Sequence, residues 1–385
     1  MEREQAIKFM LDLLKLLKQK KGSDLFITVG FPPAMKVDGK VTPVSKQPLT
    51  PDNAKALTYC IMNDRQLKEY EATKECNFAI APPGVGRFRC NAFIQQSHPG
   101  LVMRTITTEI PTLDGLGLPE VLKDISMTKN GLVIMVGGTG TGKSTSLAGM
   151  VDYRNQNSYG HIVTIEDPIE YVHPHKNCIV MQREVGVDTE DWGIALKNSL
   201  RQAPDVILLG EIRDRETMNY AIAFAETGHL CLATLHANNA NGAMDRIINF
   251  FPEDRRPQLF MDLSLNLKAF IAQQLIPRAD GKGRRVCVEI LLGTPLVHDL
   301  IRKGEVHKLK DLMKQSRQQG MITFDQALFE LFKEGEITYD DALHYADSAN
   351  EVRLMIKLDK GDVDQYAAAM DGIELVEEDD VIRRR

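Results

Sequence analysis

The sequence predicts an α/β fold in which a parallel sheet, covered by helices on both faces, follows a smaller α+β domain. Between 131 and 237, continuous apolar strands alternate with helical segments, which is typical of a buried parallel sheet. Between 24 and 106, short strands with turn residues between them indicate an antiparallel sheet. A stretch rich in proline, glycine and acidic residues, 108–124, separates the two patterns and is predicted to be a linker.

Composition argues against several classes of protein. The 385 residues carry a formal net charge of −6, whereas general nucleic-acid binders show a basic excess, so we expect no nucleic-acid partner. The apolar runs are shorter than the roughly 20 residues of a membrane-spanning helix. The N-terminus has no signal-peptide cleavage site, so a cytoplasmic protein is expected. Six widely spaced cysteines without a C-x-x-C pair predict buried free thiols.

The first predicted domain covers residues 1–107. Apolar residues at helical spacing indicate an amphipathic first helix that ends near Gly22. Such a helix can lie on a membrane, but packing on its own domain is the favoured interpretation. Strands are predicted at 24–29 and 34–44, the second broken by the hairpin signal Asp38-Gly39. A helical stretch at 51–72 and three short strands follow. These elements predict a central antiparallel sheet with flanking helices.

The second predicted domain covers residues 125–357. Its predicted strands are GLVIMVGG at 131–138, HIVTIED at 161–167, DVILLGE at 205–211 and HLCLATLHA at 229–237. From 241 onward helices are expected to dominate, and Thr323 with Gln326 forms the capping-box pattern of one of them. The acidic tail, 358–385, is interpreted as a mobile segment or a partner contact, with a solvated segment without function as the alternative.

A glycine-rich motif directly follows the first predicted strand of this domain. Residues 137–145 read GGTGTGKST and match G-x-x-x-x-G-K-[ST] between a strand and a helix, the context that supports such a match. The glycines let backbone N–H groups face phosphates, Lys143 is suited to the β and γ phosphates, and Ser144 offers a hydroxyl to Mg²⁺. The predicted nucleotide-binding residues are Gly138, Thr139, Gly140, Thr141, Gly142, Lys143, Ser144 and Thr145. A glycine-rich structural turn is the alternative.

Glu211 ends the apolar strand DVILLGE and is the candidate carboxylate that orients and polarises water. An acidic pair is usual at the end of such a strand, but Gly210 occupies the first of the two places. Magnesium is therefore expected to depend on Ser144, phosphates and water-mediated carboxylates. A salt-bridged surface glutamate is the alternative interpretation of Glu211.

Three carboxylates, Glu166, Asp167 and Glu170, lie within five residues at the end of another predicted strand. They repel one another unless a cation or an arginine lies nearby. Such a run alone indicates a solvated turn. At the carboxyl end of a strand in a parallel sheet, where ligands bind, it favours a functional site. Glu166 is accordingly a candidate second ligand of Mg²⁺, beside Ser144.

Two histidines, His229 and His236, flank the last predicted strand and are seven residues apart. Because seven is odd, they point to opposite faces of an ideal strand, which disfavours a shared metal. One of them is a candidate sensor of the γ-phosphate, and a structural role is the alternative.

Four stretches in this order resemble motifs of the secretion-superfamily ATPases that drive type IV pili and type II secretion. GGTGTGKST, TIEDPIEY, LRQAPDVILLGEIRD and TGHLCLATLHANNA are similar to their Walker A, Asp box, atypical Walker B and His box. SDLFITVGFPPAMKVDG and GRFRCNAFIQQ resemble their N-terminal PAS-like domain, so the resemblance covers nearly the whole chain. It implies a RecA-like P-loop ATPase domain after a PAS-like domain, with ATP and Mg²⁺ as cofactors.

Within this family the chain resembles the shorter retraction branch, which comprises the PilT-type motors and their paralogues. Extension and secretion-assembly motors carry a larger N-terminal region and a tetracysteine zinc site, which are not found in this sequence. PilT-type motors carry AIRNLIRE, whereas LVHDLIRK at 296–303 keeps Leu300, Ile301 and Arg302 but little else. This departure and the acidic tail favour a paralogue of the main retraction motor.

The resemblance also implies roles for individual residues. The residues that match family positions for catalysis are Glu211, Glu170 and His236. His229 matches the other His-box histidine, assigned to nucleotide binding. Arg89 and Arg104 match arginines that reach nucleotide from the N-terminal domain in such hexamers. From sequence alone these two are strand arginines on a solvated face.

The implied assembly is a homohexamer at the cytoplasmic face of the inner membrane, attached peripherally through its partners. These partners are the inner-membrane platform protein of the pilus and a PilT-like paralogue. The implied function is to couple ATP hydrolysis to pilus retraction, and hence to twitching motility. One alternative is a mainly regulatory subunit that docks on the main retraction motor, and another is the assembly ATPase of type II secretion.

Overall fold

A computed structural model of the chain describes residues 2–37, 39–107 and 109–359. Within them the chain forms two compact units. The first comprises the chain up to Ile134 together with Lys143–Leu235, and the second comprises Met135–Gly142 and the chain from His236 onward. The domain boundaries expected from the sequence, at 107, 124 and 357, stay a prediction.

The N-terminal part of the first unit is built on a six-stranded sheet in which every neighbouring pair is antiparallel, as predicted. The strand order is β3-β2-β1-β6-β5-β4. Its elements are α1 (Arg3–Gln19), β1 (Asp24–Ile27), β2 (Ala34–Val37), β3 (Lys40–Pro43), α2 (Pro51–Tyr59), α3 (Asp64–Thr73), β4 (Glu75–Ile80), β5 (Arg87–Gln95) and β6 (His98–Ile106).

Helix α1 packs on its own unit, so the favoured interpretation of its amphipathic pattern is confirmed. Its buried face, which includes Met10, Leu14 and Leu17, belongs to the apolar core of this sheet. The single helical stretch expected at 51–72 is wrong. Asn63 caps a separate helix, α3, through a capping box with Gln66, and its extended backbone breaks the helical path.

The remainder of the first unit carries parallel strands that alternate with helices. Neighbouring strands follow the order β7-β11-β10-β8-β9, and the pairs among the last four are parallel. The elements are α4 (Val121–Met127), β7 (Gly131–Val136, which passes into the second unit after Ile134), α5 (Lys143–Asn157), β8 (His161–Glu166), β9 (Ile179–Glu184), α6 (Trp192–Ser199), β10 (Val206–Leu209), α7 (Arg215–Glu226) and β11 (Leu230–Leu235).

The burial of these strands explains which of them the sequence predicted. Every residue of β7, β10 and β11 is buried, in agreement with their continuous apolar runs. Strand β9 was not predicted. It is the last strand of the order, and Ile179 and Met181 are exposed while Val180 is buried, so it lacks an unbroken apolar run. The segment interpreted as a linker also contains the start of α4.

The second unit consists of the loop Met135–Gly142 and an α+β region. Its further elements are α8 (Ala240–Asn249), α9 (Arg256–Asn266), β12 (Leu267–Pro277), β13 (Arg284–Leu292), α10 (Pro295–Arg302), α11 (Leu309–Gln315), α12 (Phe324–Lys333), α13 (Tyr339–His344) and α14 (Ala349–Asp359). Helices dominate as expected, and the capping box of Thr323 and Gln326 opens α12. The antiparallel pair β12–β13 was missed, because the apolar residues of LKAFIAQQLIP also recur at helical spacing.

Three further expectations concern the chain as a whole. All six cysteines are buried free thiols, as predicted. Among the described helices, none combines the length and the apolar character needed to cross a bilayer. Apart from its first two residues, at the end of α14, the acidic tail 358–385 lies outside the described residues.

Candidate functional site

The glycine-rich loop lies between the end of β7 and the first residue of α5. Gly137 and Gly142 have φ angles of +157° and +87°. A Cβ at Gly137 would lie 2.8 Å from the carbonyl oxygen of Gln273, and one at Gly142 would lie 2.7 Å from the Gln273 side-chain nitrogen. Glycine is therefore required at both positions, by backbone conformation and by close packing.

Gln273 of β12 supports this loop and was not predicted. Its side-chain amide donates to the backbone carbonyl of Thr141 at 2.7 Å, and the Thr141 hydroxyl donates to the carbonyl of Gly138 at 2.9 Å. Gly138, Thr139 and Gly140 are exposed at the outer part of the loop. Gln274 directly follows Gln273 in the strand LKAFIAQQLIP, and nothing in this stretch of sequence singles out Gln273 for this role.

The first turn of α5 presents Lys143, Ser144 and Thr145. Lys143 is buried, and burial lowers the pKa of its ammonium group while the negative charge of Glu211 opposes this change. The Ser144 side chain is exposed. The Thr145 hydroxyl lies 2.9 Å from the hydroxyl of Tyr171. The positive dipole end of a helix start, together with a cationic side chain, favours bound phosphate.

Glu211 follows β10 directly after Gly210, at the carboxyl end of the strand. The Gly210 N–H donates to the carbonyl of Ile165 at 2.8 Å. A Cβ at Gly210 would lie 3.1 Å from both that oxygen and the Cα atom of Glu166, and 3.4 Å from the Trp192 ring. A larger side chain at this position would thus be tightly packed against backbone atoms of β8, which gives a steric reason for the atypical sequence.

Arg213 joins two of the predicted carboxylates. Its Nε donates to Oε2 of Glu211 at 2.9 Å, and its Nη1 lies 3.3 Å from Oδ2 of Asp167. The guanidinium lies over the ring of Trp192, with its Cζ 5.6 Å from the ring centroid. The carboxylate cluster thus has the cation that its charge demands. The sequence indicated the need for it but not which residue supplies it.

Glu166 lies within hydrogen-bond distance of neutral groups. Its Oε1 accepts from the Thr164 hydroxyl at 2.6 Å and from the Gln182 side chain at 3.2 Å. Burial raises its pKa from 4.5 to about 7, although these hydrogen bonds oppose the change. Glu170, four residues on, is exposed. The described residues contain no group of three or more His, Cys, Asp or Glu side chains that could hold a metal ion by themselves.

This donor set suits Mg²⁺ held chiefly by phosphates and water, because that ion keeps several waters and takes few protein ligands. The exposed Ser144 hydroxyl, at the start of α5, fits such a ligand. Glu166 fits it less well, since a carboxyl group with a raised pKa is partly protonated near neutral pH.

The predicted arginines lie beside each other on the N-terminal sheet. Arg89 of β5 and Arg104 of β6 are directly opposite in the strand register. The Nε of Arg104 donates to Oδ1 of the buried Asp24 at 2.8 Å, while 70% of the Arg104 side chain stays exposed. Arg89 lies close enough to Glu184 to affect its pKa. Each of the two arginines therefore has a carboxylate nearby within its own unit.

The histidines lie at different ends of β11. His229 precedes the strand, where its Nδ1 lies 3.1 Å from the carbonyl of Phe224, and the next residue, Leu230, pairs with the amino end of β10. This position is at the edge of the sheet opposite Glu211. The expected binding role of His229 stays a prediction.

His236 follows β11 and belongs to the second unit. It lines an open cavity of about 670 Å³ together with Gly138 of the glycine-rich loop and with residues at the start of α8. The described part of the second unit therefore brings His236 beside the loop that is expected to hold phosphates.

Comparison with known proteins places these features in a family. Residues 34–330 match the family model described as "Type II/IV secretion system protein". The chain is 61% identical over 375 residues to the type IV pilus ATPase PilU of Pseudomonas aeruginosa, covering 97% of this chain and 98% of that protein. It is 43% identical over 331 residues to the type IV pilus retraction ATPase PilT of the same organism, covering 86% and 96%.

Solved structures agree with these sequence matches. The crystal structure of the pilus retraction motor PilT with bound ADP superimposes with a TM-score of 0.83 at 39% identity, over 89% of this chain and 98% of that one. The ATPase DotB of Legionella pneumophila has a TM-score of 0.75 at 25% identity, over 87% and 93%. The predicted fold class and the resemblance to the retraction branch are confirmed, and the chain belongs to the type II/IV secretion system protein family.

Proposed function

We propose that the chain is a motor ATPase that couples ATP hydrolysis to the retraction of type IV pili. The observation that carries the proposal is the placement of Glu211, at the carboxyl end of β10 and within electrostatic reach of Lys143 at the start of α5. A carboxylate beside the lysine of a phosphate-binding loop is suited to orient a water molecule towards the γ-phosphate. The relatives named as pilus ATPases support the same conclusion.

The proposed nucleotide site uses the glycine-rich loop and the first turn of α5. Backbone N–H groups of Gly138–Gly142 and the Lys143 ammonium group bind the phosphates of ATP. Ser144 is the proposed Mg²⁺ ligand, and that ion would neutralise charge that develops on the phosphates. Thr145 supports the helix start through its contact with Tyr171.

Other predicted residues have supporting roles in the proposal. His236 lines the cavity beside Gly138 and is placed to sense the γ-phosphate. Glu170, a member of the carboxylate cluster, is proposed to act in catalysis together with Glu211. Glu166 is a second candidate ligand of Mg²⁺ whose pKa must fall when the ion binds.

We further propose that the active form is a homohexamer in which Arg89 and Arg104 reach the nucleotide of a neighbouring subunit. An exposed arginine that contacts the γ-phosphate would make interface closure depend on the nucleotide, since hydrolysis removes charge-assisted hydrogen bonds. The proposed domains are residues 1–107, a linker at 108–124 and an ATPase domain at 125–357. The motor would act in the cytoplasm, on the platform protein at the inner membrane.

A mainly regulatory subunit that docks on a PilT-like paralogue is the second candidate function. The observation that favours it is the departure from AIRNLIRE in α10, where Asp299 forms ion pairs with Arg302 and Lys303 at 2.7 and 2.6 Å. The type II secretion ATPase is a weaker candidate. The Xanthomonas campestris type II secretion system protein E is 35% identical over 187 residues, which cover 47% of this chain.

Substitution of Glu211 tests the proposed chemistry. We expect Glu211→Gln to reduce ATP turnover at least about 100-fold, because removal of an electrostatic catalytic group typically costs that much, while nucleotide affinity changes little. Turnover by the purified protein and binding of a fluorescent ADP analogue measure the two effects. Near-normal turnover of the variant would refute the assignment. If the wild-type protein hydrolyses ATP only when the paralogue is present, the regulatory alternative is favoured.

A further inference from the structure

Arg213 forms an ion pair with the candidate catalytic carboxylate. It contacts Glu211 through Nε at 2.9 Å and Asp167 through Nη1 at 3.3 Å, so one planar guanidinium joins β10 to the turn after β8. We propose that Arg213 is a positioning residue for ATP hydrolysis, which holds the Glu211 carboxylate in place beside the phosphates. This inference rests on the proposed function of Glu211.

The Arg213 backbone is fixed by its neighbours. Its N–H donates to the Thr217 hydroxyl at 3.1 Å, and Asp214 caps α7 through a capping box with the same threonine. The base of the arginine side chain therefore sits at a rigid helix start. A positioning residue needs a rigid backbone, because an arginine on a mobile loop could not hold Glu211 in one place.

The guanidinium is fixed as well as the backbone. It lies over Trp192, whose ring also lies against Gly210, and a cation above an indole ring is attracted by the electrons of the ring. Asp167 occupies another of its donor groups. A planar group held by a ring and by a second carboxylate has few orientations left for its bond to Glu211.

The negative charge of the nucleotide explains why Glu211 needs its ion pair with Arg213. Glu211 lies within electrostatic reach of Lys143, the cation assigned to the phosphates. Phosphates compete with Glu211 for that lysine and also repel the carboxylate. Arg213 supplies a second cation, whose Nε lies 2.9 Å from Oε2 of Glu211, so that Glu211 can stay close to the γ-phosphate in spite of the repulsion.

The test compares Arg213→Gln and Arg213→Lys with wild type. We expect the glutamine variant to lower kcat at least about tenfold, since small misplacements of a catalytic group cost as much or more. KM for ATP and affinity for a fluorescent ADP analogue should change less than about twofold, because Arg213 acts on the carboxylate and not on the phosphates. The kcat of the lysine variant should lie between those of wild type and the glutamine variant, because lysine keeps the positive charge but cannot bind two carboxylates with one planar group.

Three further variants separate positioning from a general loss of structure: Asp167→Asn, the double variant with Arg213→Gln, and a control. Asp167→Asn should lower kcat less than Arg213→Gln, and the double variant should be no slower than Arg213→Gln alone, because both act through one guanidinium. The matched control is Arg65→Gln, which removes an exposed arginine from α3 and should leave kcat unchanged. Thermal denaturation reports on folding of each variant.

The outcomes separate this inference from the proposed function. Wild-type turnover in Glu211→Gln would overturn both. An inactive Glu211→Gln together with wild-type kcat in Arg213→Gln or Arg213→Lys would overturn the role of Arg213 alone. If the glutamine variant does not fold, the lysine variant decides by the same criterion.

Discussion

Replacement of Glu289 by glutamine should change how the stability of the second unit depends on pH. Glu289 of β13 is buried, and its two oxygens accept from the N–H of Ala240, at the start of α8, at 2.7 Å and from that of Phe324, at the start of α12, at 3.3 Å. It therefore joins two helix starts, and α8 lines the cavity that contains His236.

The magnitude follows from the pKa of this carboxyl group. Burial, as the largest cause, raises the Glu289 pKa from 4.5 to about 7, and the charge of Asp347 acts in the same direction. A raised pKa means that folding favours the protonated form. The stabilisation of the folded state is complete below about pH 4.5 and is lost as the pH rises through about 7. Since each pKa unit corresponds to 1.36 kcal/mol, the total loss of stability is about 3 kcal/mol.

Glutamine cannot ionise, so it removes this pH dependence. Its NH₂ group also faces one of the two backbone donors, and an unmade buried hydrogen bond costs about 1–3 kcal/mol. Glu289→Gln should therefore be less stable than wild type at pH 5 by about that amount, and the deficit should shrink or reverse at pH 8. Thermal denaturation of both proteins at pH 5, 6, 7 and 8 measures the difference. A difference in stability that does not vary with pH would refute the reasoning.

Three further substitutions test individual contacts. Gly210→Ala should destabilise the fold by about 1–3 kcal/mol and lower kcat, because the new Cβ would lie 3.1 Å from backbone atoms of β8. An unchanged melting temperature and kcat would contradict the packing argument. Gln273→Ala should weaken ADP binding several-fold in a fluorescence titration, since the carbonyl of Thr141 loses its amide donor, whereas wild-type affinity would show that the loop needs no such support. Arg104→Lys should keep the ion pair with Asp24 and the melting temperature but lower ATP turnover, and full turnover would argue against a contact with the neighbouring nucleotide.

The sequence predicted those parts of the site that are local in the chain. GGTGTGKST specifies a loop whose glycines are needed where the structure has them, at Gly137 and Gly142. The continuous apolar runs before Glu211 and His236 correctly placed β10 and β11. In these cases a short segment, its burial and its turn residues are enough to define the local structure.

Contacts between distant segments could not be predicted in the same way. Gln273 supports the loop from 132 residues away, and nothing in its own neighbourhood in the sequence indicates that pairing. The clustered carboxylates predicted a nearby cation, but the sequence contains many arginines and does not indicate which one. The structure shows that it is Arg213. The hairpin β12–β13 was missed because its apolar residues fit a helix as well as a strand.

Retraction in living cells is the most direct test of the proposed motor function. A piliated bacterium that lacks this protein would be complemented with the wild-type gene or with Glu211→Gln at equal expression, and the force and speed of single pilus retractions would be measured. We predict that wild type restores retraction and that Glu211→Gln does not, although pili still assemble. Equal restoration by the two genes would contradict a motor driven by ATP hydrolysis in this chain.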